Sequence, residues 1–313
     1  MTDFACVFPG QGSQAVGMSV ALAAAYPVVQ KTYSEASAIL GYDLWRLMAE
    51  GPEQELNQTQ HTQPAMLTAG VAVWRVLQES RAVVTPRFFA GHSLGEYTAL
   101  VCAGYLSFAE AVRLVQFRAQ CMQEAVPAGV GAMAAILGLE DAVIAAGCRD
   151  AAQGQVLSPV NFNAPGQTVI AGHKTAVERA LVLLKQQGAK RTVLLPVSVP
   201  SHCSLMISAA EKFATLLGEV SLKQGCAPVI MNVSARPETD VLVIAALLKQ
   251  QLYCPVRWVE SVNVMVHAGV RQILEVGPGK VLAALNKRID KNLQAVAVWD
   301  PASVAEAIAV IST

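Results

Sequence analysis

A serine flanked by glycines is the residue in this sequence best suited to act as a nucleophile. Gly91-His92-Ser93-Leu94-Gly95 has the spacing G-x-S-x-G, and it follows the strand-like run Arg87-Phe88-Phe89-Ala90 directly. A sharp turn from a strand into a helix presents the serine oxygen at the helix N-terminus, where free N–H groups favour a developing negative charge. An ordinary turn with a capping serine has the same letters, but the strand before Ser93 and the helix after it favour the nucleophile.

A serine nucleophile needs a base, and His202 lies at the most suitable position among the five histidines. The other four are His61, His92, His173 and His267. His92 adjoins the serine and should point away from it at such a turn. His202 lies in Val199-Pro200-Ser201-His202-Cys203, a predicted loop beside a cleft, where catalytic groups concentrate. A histidine there could equally cap the next helix, so position alone leaves both interpretations open.

Arg118 stands among apolar neighbours on a predicted helix. Leu114, Val115, Cys121 and Met122 lie three or four positions away, so no acidic partner is available within the helix. A charge on a core-facing stripe needs an external partner, because an unpaired buried charge is costly. Two interpretations remain: a fork for a substrate carboxylate, or a structural arginine that pairs with a distant acid or extends its stem to solvent.

Two glycine-rich segments imitate nucleotide-binding motifs without the required context. Phe8-Pro9-Gly10-Gln11-Gly12-Ser13-Gln14-Ala15 matches G-x-G-x-x-A. That fingerprint needs a second strand ending in Asp or Glu about 20 residues later, whereas residues 18–40 are predicted to be helical. Glu275-Val276-Gly277-Pro278-Gly279-Lys280 lacks the spacing and the Ser/Thr of a phosphate-binding loop. A tight glycine loop beside the first strand can equally direct main-chain N–H groups at an oxyanion.

Short strand-like runs alternate with longer helical stretches, which is typical of an α/β fold. The first strand is predicted at Phe4–Phe8, and a mostly helical stretch follows to about Ser80. Ser107-Phe108-Ala109-Glu110 is a capping box that should begin a helix reaching about Val126. Beyond Pro200 we predict helices at 203–218, 240–251, 257–268 and 302–311, and strands at 229–233, 271–276 and 294–299.

The segment 128–197 has a different order of elements. They are a strand at 131–137, a helix at 140–151, strands at 156–161 and 168–171 around the turn 163–166, a helix capped by Thr175 that ends at Gly188, and a strand at 192–195. This β-α-β-β-α-β order is that of a ferredoxin-like unit. We therefore predict a discontinuous large α/β domain at 1–127 and 198–313, a ferredoxin-like subdomain at 128–197, and a ligand-binding cleft between them.

The composition excludes several classes of protein. The 313 residues contain 23 Lys+Arg and 23 Asp+Glu, so the formal net charge is zero. A nucleic-acid binder or a polybasic membrane-surface protein would carry an excess of cations. The mean hydropathy of +0.41 predicts an ordered globular chain. Its longest strongly apolar runs, such as Val241–Leu248, are far shorter than the roughly 20 residues that span a membrane.

The cysteines favour a reducing compartment. All seven are scattered, at positions 6, 102, 121, 148, 203, 226 and 254, without a C-x-x-C pair. This pattern argues against a zinc site and against a disulfide framework. Residues 1–6 also lack the basic and long apolar regions of a signal peptide. We therefore expect a cytoplasmic protein that holds no metal.

Together, the motifs resemble those of the malonyl-CoA:acyl carrier protein transacylase family. The matching segments run in order from about residue 4 to residue 300. They are Phe8–Gln14, Gln63-Pro64-Ala65, Gly91–Tyr97, Phe117-Arg118, Val199–His202, Gln251-Leu252-Tyr253 and Val276–Lys280. Each motif alone is weak, but the ordered set is specific.

The resemblance implies an α/β-hydrolase-like large domain with a parallel sheet and an inserted ferredoxin-like subdomain. It also implies roles for the matching residues. Ser93 would carry the acyl group, and His202 would be its base, held by a main-chain carbonyl near Gln251 instead of a triad acid. The N–H groups of Gln11 and Leu94 would form the oxyanion hole.

Substrate-binding roles follow from the same resemblance. Arg118 would clamp the malonyl carboxylate, and Gln63 would line the acyl site. Asn161, Asn163 and Arg191 would face the pantetheine or nucleotide end of CoA.

The implied activity is S-malonyl transfer in fatty acid biosynthesis. The partners would be malonyl-CoA and acyl carrier protein, with no nucleic acid and no membrane, and the acyl group would pass through Ser93 in a ping-pong reaction. Exchange between thioesters is nearly isoenergetic, so no metal or redox cofactor is expected. Alternatives are a transacylase or acyl hydrolase of a polyketide or malonate-decarboxylase system, a dinucleotide-binding protein, and a non-catalytic carrier-protein scaffold. The intact Ser93 and His202 disfavour the scaffold.

Overall fold

The computed structural model describes residues 4–80, 85–197 and 199–311, so the predicted boundary at residue 198 and both chain ends lie outside the described residues. The strands in these ranges are β1 (Phe4–Phe8), β2 (Phe88–Gly91), β3 (Gly131–Leu137), β4 (Leu157–Ala164), β5 (Gln167–His173), β6 (Arg191–Leu194), β7 (Val229–Ile230), β8 (Pro237–Glu238), β9 (Gln272–Val276) and β10 (Gln294–Val298). The α-helices are α1 (Val20–Ala25), α2 (Pro27–Leu40), α3 (Leu44–Glu50), α4 (Glu53–Leu56), α5 (Thr59–Glu79), α6 (Gly95–Cys102), α7 (Phe108–Glu124), α8 (Asp141–Ala152), α9 (Lys174–Gln186), α10 (Ile207–Leu217), α11 (Val241–Gln251), α12 (Trp258–His267), α13 (Val281–Ile289) and α14 (Pro301–Ile311). A 3₁₀ turn, Ser204–Met206, precedes α10.

A six-stranded sheet forms the centre of the larger unit. Its order is β10-β9-β1-β2-β7-β8, and every pair is parallel except β7 with β8. Helices cover both faces, which explains why the strands are apolar throughout instead of alternating. In β1, Phe4 and Phe8 pack into one core cluster and Val7 into another, where it meets Trp258 of α12. The predicted fold class, α/β with a parallel sheet, is confirmed.

The second sheet is antiparallel and smaller. Its order is β4-β5-β3-β6, the ferredoxin-like arrangement that was predicted, and α8 and α9 pack on one face. On the other face Met133, Val169 and Ala171 cluster with Cys203, the neighbour of His202. The small sheet therefore packs against the loop that carries the candidate base. The limits 128–197 for this unit stay a prediction.

The capping box is confirmed, whereas two local predictions are wrong. Ser107 caps α7 and accepts a hydrogen bond from the Glu110 N–H. Thr175 does not cap α9, because the helix already begins at Lys174 and the Thr175 hydroxyl donates to Gln155. The strand predicted at 229–233 ends at Ile230, where the main chain turns away from the sheet.

The glycine-rich segment after β1 lacks the structural context of a dinucleotide-binding fingerprint, as predicted. After β1 the chain passes through five helices before β2, so the strand order that a dinucleotide fingerprint requires is not present in residues 4–80. Among the described residues, no helix is long and apolar enough to cross a membrane.

Two glycines allow the turn around Ser93 to form. A Cβ at Gly91 would lie 1.9 Å from the Gly95 carbonyl carbon, and a Cβ at Gly95 would lie 2.1 Å from the Phe8 carbonyl oxygen. Both clashes are with main-chain atoms of the sheet and the turn. The Phe8 oxygen cannot retreat freely, because it accepts a hydrogen bond from the His92 N–H at 3.0 Å. The start of α6 is therefore held directly against β1.

This contact predicts that Gly95→Ala strongly destabilises the fold. We expect the free energy of unfolding to fall by about 3 kcal/mol or more, because a methyl group must be forced against fixed main-chain atoms. Gly218→Ala is the matched control, since its Cβ would meet its nearest atom at 3.4 Å and should change stability by less than about 1 kcal/mol. Urea denaturation measures both. Equal midpoints for the two variants would contradict this role for Gly95.

Candidate active site

Ser93 lies in the turn between β2 and α6 with φ 51°, a left-handed conformation that a non-glycine residue rarely adopts. Its main-chain N–H donates to the Asn232 Oδ1 at 2.8 Å. The Asn232 amide also donates to the Gly91 carbonyl at 2.6 Å. Asn232 therefore spans the turn and holds the strained residue in place.

The Ser93 hydroxyl meets a histidine whose tautomer is determined by its other neighbour. Ser93 Oγ lies 2.8 Å from His202 Nε2, and His202 Nδ1 lies 2.7 Å from the Gln251 carbonyl oxygen. Because a carbonyl can only accept, Nδ1 carries the proton and donates it. Nε2 then has the free lone pair that can accept the serine proton. Ser93, His202 and the Gln251 main-chain carbonyl therefore lie at the distances expected of the predicted serine–histidine pair, in which a carbonyl takes the place of an acid.

Burial, together with the nearby positive charge of Arg118, lowers the pKa of His202 to about 3. The hydrogen bond to Gln251 opposes this shift. His202 is only 3% exposed. Its imidazole is therefore neutral across the physiological range and can take up a proton as a base.

Arg118 is 1% exposed, and its guanidinium lies over the Tyr97 ring, 5.4 Å from the ring centroid, and donates to neutral oxygens. Nη1 donates to Gln63 Oε1 at 2.8 Å, and Nη2 donates to Gln251 Oε1 at 2.9 Å and to Ser93 Oγ at 3.3 Å. No acidic side chain of the described residues lies within the 4.0 Å of an ion pair. The structural interpretation of Arg118, in which it pairs with a distant acid or extends its stem to solvent, therefore does not fit the geometry.

Glu96 lies beneath these residues, and the sequence analysis missed it together with Asn232. Its carboxyl is fully buried and accepts from the Asn232 N–H at 2.5 Å and from Gln251 Nε2 at 2.6 Å. Burial raises the pKa of Glu96 to about 8, while the Asn232 N–H, the Gln251 amide and the Arg118 charge oppose the rise. The same signal that pointed to Arg118, one charge in an apolar helix, was available for Glu96. No local pattern marks Asn232.

The two predicted oxyanion donors are free to bind. Neither the Gln11 nor the Leu94 main-chain N–H has a hydrogen-bond partner among the described residues. Gln11 lines a cavity of about 120 Å³ together with Ser93 and His202. Leu94 is the residue after Ser93, at the N-terminus of α6. Unpaired N–H groups at such a cavity suit an oxyanion.

The structure separates the two asparagines predicted to face CoA. Asn161, on β4, lines the same cavity, and its Oδ1 is buried without a partner. Asn163 instead uses its Oδ1 to bind His92 Nε2 at 2.8 Å, so it links the small sheet to the turn around Ser93. Arg191 is exposed at the start of β6 and has no contact with the Ser93 cluster in the described part of the chain.

The other residues complete the cluster. The Gln63 side chain is buried between Arg118 and Gln11, whose Oε1 lies 3.5 Å from Gln63 Nε2. Within the described ranges, no group of three or more His, Cys, Asp or Glu residues could hold a metal ion. The arrangement therefore offers a nucleophile, a neutral base, two N–H donors and an unpaired cation around one small cavity.

The chain is similar to known proteins over nearly its whole length. Residues 5–307 match the family model described as the acyl transferase domain. A malonyl CoA-acyl carrier protein transacylase of Escherichia coli K12 is 57% identical over 308 residues, which cover 98% of this chain and 99% of that protein.

Solved structures are similar over the same length. The crystal structure of an acyl carrier protein S-malonyltransferase from Vibrio cholerae has a TM-score of 0.95 and 58% identity, covering 97% of this chain and 99% of that one. A malonyl-transacylase solved in complex with its type II PKS acyl carrier protein has a TM-score of 0.97 and 54% identity, covering 98% and 99%.

The lowered pKa of His202 predicts a specific pH dependence. Between pH 6.5 and about 3 the unfolded chain binds a proton at this histidine and the folded chain does not, so stability falls as the pH falls. We expect the wild type to lose up to roughly 1.4 kcal/mol per pH unit more than His202→Gln in this window. Urea denaturation at pH 7, 6 and 5 measures the difference.

Reaction of Ser93 with a sulfonyl fluoride provides the second readout for His202. The plot of this reaction rate against pH should show no titration midpoint near pH 6.5, because the His202 imidazole remains neutral well below that pH. A rate that halves near pH 6.5, together with equal pH slopes for the wild type and His202→Gln, would contradict the assignment.

Proposed function

The chain belongs to the acyl transferase domain family, and we propose that it transfers a malonyl group from malonyl-CoA to the phosphopantetheine thiol of an acyl carrier protein. One observation carries the proposal. The Ser93 hydroxyl lies within hydrogen-bond reach of a neutral imidazole, His202, and of a buried cation, Arg118. A nucleophile beside a base carries out acyl transfer, and a cation beside the same oxygen selects an acyl group with a carboxylate.

In the first half-reaction Ser93 Oγ attacks the thioester carbonyl of malonyl-CoA. His202 Nε2 takes the hydroxyl proton, the C–S bond breaks, and the CoA thiolate leaves with that proton. The carbonyl oxygen becomes negative in the transition state. We assign its stabilisation to the N–H groups of Gln11 and Leu94.

In the second half-reaction the same residues act in reverse. The phosphopantetheine thiol gives its proton to His202 Nε2 and attacks the malonyl ester. The bond to Ser93 Oγ breaks, and the oxygen recovers the proton from the imidazolium. The first half-reaction exchanges an acyl–sulfur bond for an acyl–oxygen bond and the second reverses this, so the chemistry needs neither a metal nor a redox cofactor.

The environment of Arg118 supports the choice of malonyl over neutral acyl groups. Gln63 and Gln251 orient its guanidinium but do not neutralise it, because both contribute only amide oxygens. A carboxylate near the Ser93 Oγ would complete the charge pair, whereas an acetyl group would leave the buried charge unpaired. Gln63 thus acts at the acyl site by fixing the guanidinium.

The CoA arm is assigned to the side of the cavity formed by the small sheet. The unpartnered Asn161 Oδ1 can accept an N–H from the pantetheine amides. Arg191 is solvent-exposed and has no hydrogen bond to the cluster among the described residues, so we assign it to the phosphates of the nucleotide end. For Asn163 we propose an indirect contribution, since its Oδ1 is engaged by His92.

The biological setting is also part of the proposal. We propose a cytoplasmic enzyme of fatty acid biosynthesis, and the free thiols of all seven cysteines support a reducing compartment. A polyketide system is the second candidate, because one relative of similar fold was solved with a type II PKS acyl carrier protein.

Intact mass after incubation with malonyl-CoA, without carrier protein, tests the nucleophile. We expect one malonyl group on the wild type and none on Ser93→Ala. Ser201→Ala is the matched control, since Ser201 lines the same cavity but does not touch His202 Nε2, and it should retain the label. Undiminished labelling of Ser93→Ala would refute the assignment.

Substrate selectivity tests Arg118. A charge-assisted contact contributes roughly 1.5–3 kcal/mol, so Arg118→Ala should lower kcat/KM for malonyl-CoA about 10- to 100-fold more than for acetyl-CoA. Arg118→Lys should recover only part of this loss, because an ammonium lacks the planar fork.

The control for Arg118 is Arg75→Ala, which removes an arginine paired with Glu35 outside the site. It should lower stability without changing the malonyl-to-acetyl ratio. An unchanged ratio in Arg118→Ala, with equal losses for both substrates, would show that Arg118 is structural.

A further inference from the structure

The Glu96 carboxyl is buried directly beneath the nucleophile, and no step of the transfer uses it. It lies in the first turn of α6, three residues after Ser93. Among the described residues, no Lys, Arg or His lies within ion-pair distance of it. A carboxyl that is fully buried without an ion pair destabilises the fold unless its hydrogen bonds offset the desolvation penalty. The partners of Glu96 therefore indicate what it does.

One partner is the side-chain amide of Gln251. Its Nε2 donates one hydrogen to Glu96 Oε2 at 2.6 Å and the other to the Ser93 carbonyl at 2.8 Å. Both amide hydrogens are thereby used, so Oε1 is the atom left to face Arg118 Nη2 at 2.9 Å. A reversed amide would place NH₂ groups against the guanidinium, donor against donor. Glu96 thus determines which end of the Gln251 amide Arg118 meets.

The second partner is Asn232. Its main-chain N–H donates to Glu96 Oε1 at 2.5 Å, and its side chain accepts from the Ser93 N–H. Asn232 lies two residues after β7 ends at Ile230, with its side chain at the turn that carries Ser93. Glu96 is therefore linked to the strained main chain of Ser93 by a second, separate route.

We propose that Glu96 is a positioning residue: its carboxylate orients the Gln251 amide, and through it the Arg118 guanidinium, while it anchors Asn232 beneath Ser93. This proposal rests on the proposed role of Arg118 in holding the malonyl carboxylate. The His202 tautomer is less dependent on Glu96, because it relies on the Gln251 main chain. Loss of Glu96 should therefore affect selectivity for malonyl more than acyl transfer in general.

The two donors explain why a carboxylate is needed here and an amide will not serve. Asn232 and Gln251 both present N–H groups to Glu96, and a carboxylate accepts with both oxygens. A glutamine in this position must turn its NH₂ towards one of these donors, whichever way it is placed. Glu96→Gln therefore preserves shape and volume but breaks one hydrogen bond and removes the charge.

The experiment compares Glu96→Gln with Glu275→Gln. Glu275 is the matched control, because it is also a buried glutamate whose oxygens accept two N–H groups, from Leu282 at 3.0 Å and Ala283 at 2.7 Å. It caps α13 and has no hydrogen bond to the Ser93 cluster. All proteins are assayed at the same pH and the same substrate concentrations.

We expect both variants to lower the melting temperature, but only Glu96→Gln to change selectivity. Its kcat/KM for malonyl-CoA should fall about 10-fold or more beyond the fall for acetyl-CoA, because Arg118 no longer presents its fork correctly. The malonyl-to-acetyl ratio of Glu275→Gln should equal that of the wild type. A folded Glu96→Gln protein with the wild-type ratio would overturn the proposal.

A second variant keeps the test decisive if Glu96→Gln does not fold. Gln251→Met removes the side-chain amide through which Glu96 is proposed to act, and it keeps the main-chain carbonyl that holds His202. Arg118 Nη2 then loses the oxygen that orients it, so the malonyl-to-acetyl ratio should fall at least about 10-fold. Retention of the wild-type ratio would overturn the proposal in this form too.

Measurement of Arg118→Ala in the same assay distinguishes failure of the proposed Arg118 role from failure of the proposed Glu96 role. If Arg118→Ala itself leaves the ratio unchanged, the proposed role of Arg118 is wrong. If Arg118→Ala lowers the ratio and Glu96→Gln does not, only the positioning role of Glu96 is wrong.

Discussion

The site is built around a buried guanidinium that has no carboxylate within ion-pair distance in the described part of the chain. Arg118 is enclosed by α5, α6 and α11, and each contact to its nitrogens is a neutral oxygen. An unpaired charge in this position destabilises the empty protein. The amides of Gln63 and Gln251 offset part of that penalty without removing the charge. The same charge helps to lower the pKa of His202, so the cation proposed to hold the malonyl carboxylate also helps to keep the His202 imidazole neutral.

A second constraint is the strained main chain on both sides of the reacting atoms. Ser93 and His202 both have positive φ, 51° and 66°. Such conformations persist only where surrounding contacts determine them. Here the contacts come from far along the chain: Asn232 holds Ser93, and the Leu252 carbonyl accepts from the His202 N–H at 2.9 Å. The close approach of Gly95 to β1 then leaves the turn no room to relax.

The small sheet encloses the cavity, whereas the candidate reactive groups come mostly from the larger unit. Met133 and Asn161 from its strands line the cavity beside Ser93. The face of the sheet opposite α8 and α9 packs on Cys203, the neighbour of His202. An acyl-serine ester must be protected from water between the two half-reactions. The bond between Asn163 and His92 ties this cover to the turn itself. The two units therefore act as one site, although the chemical groups come mostly from the larger unit.

Local patterns in the sequence determined the elements and the individual reactive residues. The apolar run of β1, the capping box of α7 and the glycine spacing around Ser93 each act over a few residues, so they can be read without a structure. Arg118 was identified for the same reason, since helical spacing alone shows that its neighbours are apolar. The tertiary structure decided everything that joins residues distant in sequence. Asn232 and Gln251 contact Ser93 from 139 and 158 positions away, and no periodicity encodes such a pairing. Asn161 and Asn163, only two positions apart, likewise differ in role because one Oδ1 is left unpaired and the other meets His92. Helical and strand periods specify which face of an element is buried, whereas the partner that each buried polar atom meets depends on how the elements pack together.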